Sequence, residues 1–153
     1  MTKIYIGLGS NLGNREKNLL AAVQLIEERI GKVLSLSSFY ETEPWGFVSA
    51  NTFLNAAACI ETALSPMEVL AVTQQIERQM GRTQKSTGGT YADRPIDIDL
   101  LLFGNSVIST PQLVVPHPFM AERDFVMKPL AEIAPHVVHP VLRKTIAELA
   151  RII

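Results

Sequence analysis

The sequence holds one cysteine, Cys59, in 153 residues. A lone thiol cannot close an internal disulfide, so a disulfide scaffold is excluded. No apolar run approaches the roughly 18 residues that span a bilayer. One such run, Leu100 to Phe103, is strand-sized. No charge of one sign dominates: 14 Lys and Arg stand against 15 Asp and Glu, a formal net charge of -1. Proteins that bind nucleic acid across their whole surface carry a basic excess. Any anion site here is therefore local. Nothing at the N-terminus reads as a secretory leader, so a reducing cytoplasm is the expected compartment. Low-complexity segments and linkers are absent too, and residues 1–153 read as a single domain. What is present is core: 47% of residues are hydrophobic and 19% charged. A chain of this length buries roughly 70% of its unfolded surface.

Lys3 to Leu8 reads as a first strand, and Gly7, Gly9 and Gly13 as a tight turn after it. Asn14 is placed to cap a helix whose apolar stripe is Leu19, Val23, Ile26 and Ile30. Gly31 is expected to stop that helix. Val33 to Glu41 and Phe53 to Glu61 read as two further strands. Ser65, Pro66 and Glu68 form a capping-box start for a second helix. Its core stripe is Val69, Val72, Ile76 and Met80. Ile96 to Phe103 is a fourth strand, with Gly104-Asn105 expected to turn it into a hairpin with Ser106 to Ile108. Short helices are expected over Phe125 to Ile133 and after a Thr145-x-x-Glu148 capping box. The order predicts an α+β fold of the ferredoxin-like βαββαβ kind. Its sheet should be mostly antiparallel, with helices on one face and a short helical C-terminal tail. Two long loops, Thr42 to Thr52 and Gly81 to Pro95, have the length of functional segments.

Asp97 and Asp99 are two apart on a strand, so their carboxylates share a face. Ile96, Ile98 and Leu100 should point the other way, while Leu101 and Phe103 continue the aspartate face as apolar residues. Two like charges so placed call for a cation between them. Mg²⁺ suits, because it takes a few carboxylates plus water and phosphate oxygens. Arg94, Arg82 and Lys85 lie close by in the chain, and guanidinium forks match phosphate. Carboxylates for metal beside guanidiniums for phosphate describe a nucleotide site. His117, between two prolines, can hydrogen-bond a phosphate. Phe53 and Asn55 share a strand face, so an amide sits beside an aromatic wall. Trp45, Tyr91 and Phe125 are further aromatics in or beside the loops. The glycines near the N-terminus do not match a dinucleotide fingerprint, since Leu12 stands where a third glycine belongs. Two other classes remain open from the residues alone. One is a ferredoxin-like nucleic-acid-binding module, against which the net charge weighs. The other is a kinase that moves a γ-phosphoryl group.

Taken in order, the motifs resemble one family. They are GLGSNLGNR, Phe39 to Thr42, Phe53 to Ala56, Gln74 to Arg82, Arg94-x-x-Asp97-x-Asp99, and Val115-Pro116-His117-Pro118 through Phe125. The set is similar to 6-hydroxymethyl-7,8-dihydropterin pyrophosphokinase of folate biosynthesis. The resemblance implies transfer of pyrophosphate from ATP to the pterin, with AMP released. It implies two Mg²⁺ ions on Asp97 and Asp99, and Arg82 and Arg94 acting on the phosphates as catalytic residues. It implies an ATP site from Gln74, Glu77, Arg82, Arg94, Ile98, His117 and Arg123. Thr42, Trp45, Phe53, Asn55, Tyr91 and Phe125 match the pterin pocket. Tyr91 stands where many members carry tryptophan, and Gln84 where a second arginine is common. The implied protein is a cytoplasmic monomer without nucleic-acid or membrane partners. Its Gly81 to Pro95 loop is expected to close over the phosphates.

Overall fold

The computed structural model describes residues 1–43, 51–81 and 94–152. Strand β1 (Thr2–Ser10) leads into helix α1 (Arg15–Arg29). Asn14 caps α1 as expected, its Oδ1 accepting the Lys17 N–H at 3.1 Å. Next come β2 (Gly31–Leu36), the three-residue β3 (Tyr40–Thr42) and β4 (Phe53–Thr62). Helix α2 (Pro66–Gln79) opens with the full Ser65–Glu68 capping box. Strand β5 (Asp97–Phe103) completes the sheet, in the order β2-β4-β1-β5. Every described pair is antiparallel, and β3 extends the sheet by pairing with β4. This is the arrangement the βαββαβ order predicts.

The two faces of the sheet are covered differently. Ile4, Ile6 and Leu8 of β1 join Ala56, Ala58 and Ile60 of β4 under α1 and α2, which contribute Leu19, Ile26, Val69 and Ile76. The opposite face carries Tyr5, Ala57, Cys59 and Leu101, under helix α3 (Asp124–Ile133) and helix α4 (Ile146–Ile152). So the tail is a second covering layer. It reaches only half of its face. Among the described residues, no helix is long and apolar enough to cross a membrane.

Five local readings change. The strand expected over Val33 to Glu41 is two strands, β2 and β3, parted where the Ser37 hydroxyl takes the Ala57 N–H and the Ser38 N–H turns to Glu132. Gly7 and Gly9 lie inside β1, and only Gly13, at φ 72°, takes the turn. A strand interior was hidden because glycine is usually a breaker. Gly31 does not act as a left-handed stop for α1 but begins β2. A Cβ there would stand 2.0 Å from the Glu61 carbonyl oxygen, so only glycine lets the two backbones meet. Gly104 turns at φ 52°, yet the strand beyond it, β6 (Ile108–Ser109), pairs with β7 (Val114–Val115) and not with β5. Last, Phe103 packs with the α1/α2 core and not on the aspartate face. The β1–β5 register slips between Tyr5 and Ile6, because Leu101 is one residue extra. Leu101 and Leu102 consequently face the same side, as in a β-bulge, and Phe103 is turned over.

Candidate active site

The uncovered half of the second face is a pocket of about 630 Å³, its open mouth included. Strand alternation builds its floor. Gly7 and Gly9 on β1 lie between β4 and β5: Gly9 is opposite Asn55 on one side and Asp97 on the other, and Gly7 is opposite Asp99. The missing side chains leave the room. A Cβ on Gly9 would lie 3.0 Å from the Asn55 Oδ1.

Asp97 and Asp99 both line the pocket, while Ile98 between them is buried in the core. Burial raises the Asp99 carboxyl well above its usual pKa, and the neighbouring Asp97 charge raises it further. Two half-buried carboxylates in contact disfavour double ionisation. The strand bearing them is held from the other layer. Glu77, a buried carboxylate on α2, accepts the Ile98 N–H at 2.9 Å.

Arg94 is buried, and its backbone is fixed by a reciprocal pair of bonds. Its N–H donates to Asn11 Oδ1 at 2.8 Å, and its carbonyl accepts the Asn11 N–H at 3.1 Å. The guanidinium lies 3.6 Å from the Asp97 carboxylate and 5.9 Å from the centre of the Phe53 ring. Arg123 lies 5.4 Å from the Phe119 ring centre and 5.6 Å from that of Phe125. Aromatic faces hold cations in this way. The opposite wall pairs Asn55 with Thr42, whose Oγ1 accepts the Asn55 Nδ2–H at 2.6 Å.

His117 sits in the turn after β7, its N–H bonded to the Leu101 carbonyl at 3.0 Å. Burial and the charge of Arg123 push its pKa down to about 4. It is therefore neutral at pH 7. Its Nδ1 accepts the Phe119 N–H at 3.4 Å, which leaves the proton on Nε2.

Eight of the residues singled out from sequence thus line one pocket: Thr42, Phe53, Asn55, Arg94, Asp97, Asp99, Arg123 and Phe125. Glu77 stands behind it, bonded to the Ile98 backbone, and the Ile98 side chain points away from it. Gln74, half-buried on α2, and His117 are not among its lining residues. Trp45, Arg82 and Tyr91, with Gln84 and most of the Gly81 to Pro95 loop, lie outside the described residues. Sequence reading missed Gly7 and Gly9 as lining. The signal was the alternation of Ile4, Ile6 and Leu8 with Tyr5, Gly7 and Gly9.

The sequence model of 7,8-dihydro-6-hydroxymethylpterin-pyrophosphokinase (HPPK) matches residues 5–135. A Porphyromonas gingivalis 2-amino-4-hydroxy-6-hydroxymethyldihydropteridine pyrophosphokinase is 52% identical over 143 residues, covering 92% of this chain and 95% of the relative. The Aquifex aeolicus protein of the same name is 41% identical over 148 residues, covering 97% and 90%. That of Bacillus subtilis is 48% identical over 134 residues, covering 87% and 78%. Among solved structures, Plasmodium falciparum HPPK-DHPS with pteroate shares the fold at a TM-score of 0.79 and 18% identity. The match covers 98% of this chain but 42% of that one, so this chain spans less than half of that structure's length. Fold, motifs and relatives agree: the chain belongs to the 7,8-dihydro-6-hydroxymethylpterin-pyrophosphokinase family, whose reaction is pyrophosphoryl transfer in folate biosynthesis.

Proposed function

We propose that this chain, as a monomeric single-domain cytoplasmic enzyme, transfers pyrophosphate from ATP to the hydroxymethyl oxygen of 6-hydroxymethyl-7,8-dihydropterin. The products are AMP and the pterin diphosphate. The observation that carries this reading is one pocket holding Asp97, Asp99, Arg94 and Arg123 beside the Thr42–Asn55 pair and two phenylalanines.

Asn55 and Thr42 read the edge of the pterin, with Phe53 and Phe125 as its walls. The Asn55 Oδ1 beside Gly9 is an acceptor for a ring N–H. Arg94 and Arg123 bind phosphate oxygens, and neutral His117 offers its Nε2–H to the same group. Gln74, Glu77 and Ile98 form the adenine side, with Glu77 acting through the Ile98 backbone it holds. Trp45 and Tyr91 add to the pterin wall and Arg82 to the phosphate grip, as the family resemblance implies.

Asp97 and Asp99 fit Mg²⁺. Both donors are carboxylate oxygens on one face, and the raised Asp99 pKa marks a pair that a cation would relieve. Two such ions supply positive charge on the transferred phosphates. The charge sum agrees: ATP brings about −4 and the aspartates about −2, against about +4 from two ions. The residual negative charge falls to the arginines. Phosphoryl transfer needs positioning and charge more than covalent help, which is what this pocket offers.

The test is a product assay with ATP, Mg²⁺ and 6-hydroxymethyl-7,8-dihydropterin. AMP in equal amount with pterin diphosphate is the expected result. ADP would replace this reading by γ-phosphoryl transfer, and an absence of turnover by folded protein would overturn it. A nucleic-acid-binding sheet needs its face open for base stacking, and α3 and α4 cover half of this one.

A further inference from the structure

We infer that Arg15 is a positioning residue for the pterin-reading pair, an inference that rests on the pterin reading above. Thr42 belongs to a strand of three residues whose only ladder partner among the described residues is β4. So short a strand has little backbone pairing to hold it. Side chains supply what the ladder lacks. Arg15, in the first turn of α1, donates from Nη1 to the Thr52 carbonyl at 3.0 Å and to the Thr52 hydroxyl at 2.9 Å. Its Nη2 donates to the Glu41 carboxylate at 3.2 Å. The Thr52 hydroxyl donates in turn to the other Glu41 oxygen at 3.2 Å, which closes the triangle.

The place of this triangle gives it meaning. Glu41 and Thr52 flank the cross-strand pair Thr42↔Phe53. Thr42 holds Asn55 at 2.6 Å, and Phe53 underlies Arg94. Arg15 itself does not line the pocket. Its planar fork reaches two oxygens of Thr52 and one of Glu41 at once in fixed geometry. The exposed Arg15–Glu41 ion pair adds little to global stability. Its effect falls on the placement of Thr42 and Phe53, and through them far more on the pterin than on ATP.

The experiment is steady-state kinetics of wild type, Arg15→Met and Arg15→Lys, followed by AMP formation, with thermal melting alongside. Arg15→Met is expected to raise the KM for the pterin about tenfold, with the KM for ATP within about twofold. The melting temperature should fall by only a few degrees. Arg15→Lys should recover part of the loss. An unchanged pterin KM in folded Arg15→Met, or equal rises in both KM values, would overturn the positioning role alone. Should Arg15→Met fail to fold, Thr52→Val removes one corner of the triangle and carries the same two outcomes. A wild-type protein that forms no AMP would instead overturn the pterin reading beneath it.

Discussion

The two faces of the sheet are built from the same strands and do opposite work. On β1, Ile4, Ile6 and Leu8 face α1 and α2, and all are buried. Their neighbours Tyr5, Gly7 and Gly9 face the other way, and only Tyr5 is covered by the tail helices. One face gains stability from close-packed aliphatic side chains. The other gives up side chains at two positions and so keeps space beside two carboxylates. Stability and function are thus separated by the two-residue period of a strand. A substitution should report on one or the other according to its parity.

The largest break should come from the aspartates. Asp97→Ala or Asp99→Ala is expected to lower turnover on the order of a thousandfold. Melting without Mg²⁺ should be unchanged or raised for Asp99→Ala, because a like-charge pair is relieved, and lowered for Asp97→Ala, which also takes the ion partner from buried Arg94. Full activity in either variant would remove the metal assignment. On the opposite face, Ile6→Ala deletes a fully buried side chain. It should cost about 2–5 kcal/mol in urea unfolding, with the pterin KM of the folded fraction unchanged.

His117 separates the faces by pH. Its folded pKa is about 4 against 6.5 for an unperturbed histidine, so the unfolded chain takes up the proton first. The contribution is complete above pH 6.5 and is lost as the pH falls towards 4, amounting to about 3 kcal/mol. The difference in unfolding free energy between wild type and His117→Asn should shrink across that window. A difference independent of pH would refute the neutral, buried histidine. The smallest effect on stability belongs to Gly9→Ala, within about 1 kcal/mol. Its methyl group crowds Asn55 at 3.0 Å, so the pterin KM should rise severalfold while Ile6→Ala leaves it alone.

What could be read from the sequence followed the same division. The core face was legible except at Phe103, because apolar spacing and caps are local signals. Asn14, the Ser65–Glu68 box and the Thr145–Glu148 box each appear as expected, Thr145 and Glu148 exchanging bonds at 3.1 Å. The i, i+2 rule also brought Asp97 with Asp99, and Phe53 with Asn55, into one pocket. Failures came where a long-range partner decides. Gly7 and Gly9 read as turn because nothing local says that β4 and β5 flank them. Gly31 read as a helix stop, yet its reason lies 30 residues away at Glu61. The tail helices were visible, but not the sheet face they cover. Arg15 was visible as the last residue of GLGSNLGNR but its role was not, since Glu41 and Thr52 meet it only in the folded chain.

The extra residue in β5 has a consequence of its own. Without Leu101 the strand would alternate regularly: Leu100 stays opposite Ile6, Leu102 opposite Tyr5 and Phe103 opposite Ile4. The ladder has no need of it. What Leu101 adds is a carbonyl turned outwards, and that carbonyl holds the His117 N–H. The insertion works as a hook on an otherwise closed seam. A chain shortened by this one residue would keep its strand order but lose a fully buried side chain from the second core together with its hold on the histidine turn, so the deletion would be read both in stability and in the phosphate half of the pocket.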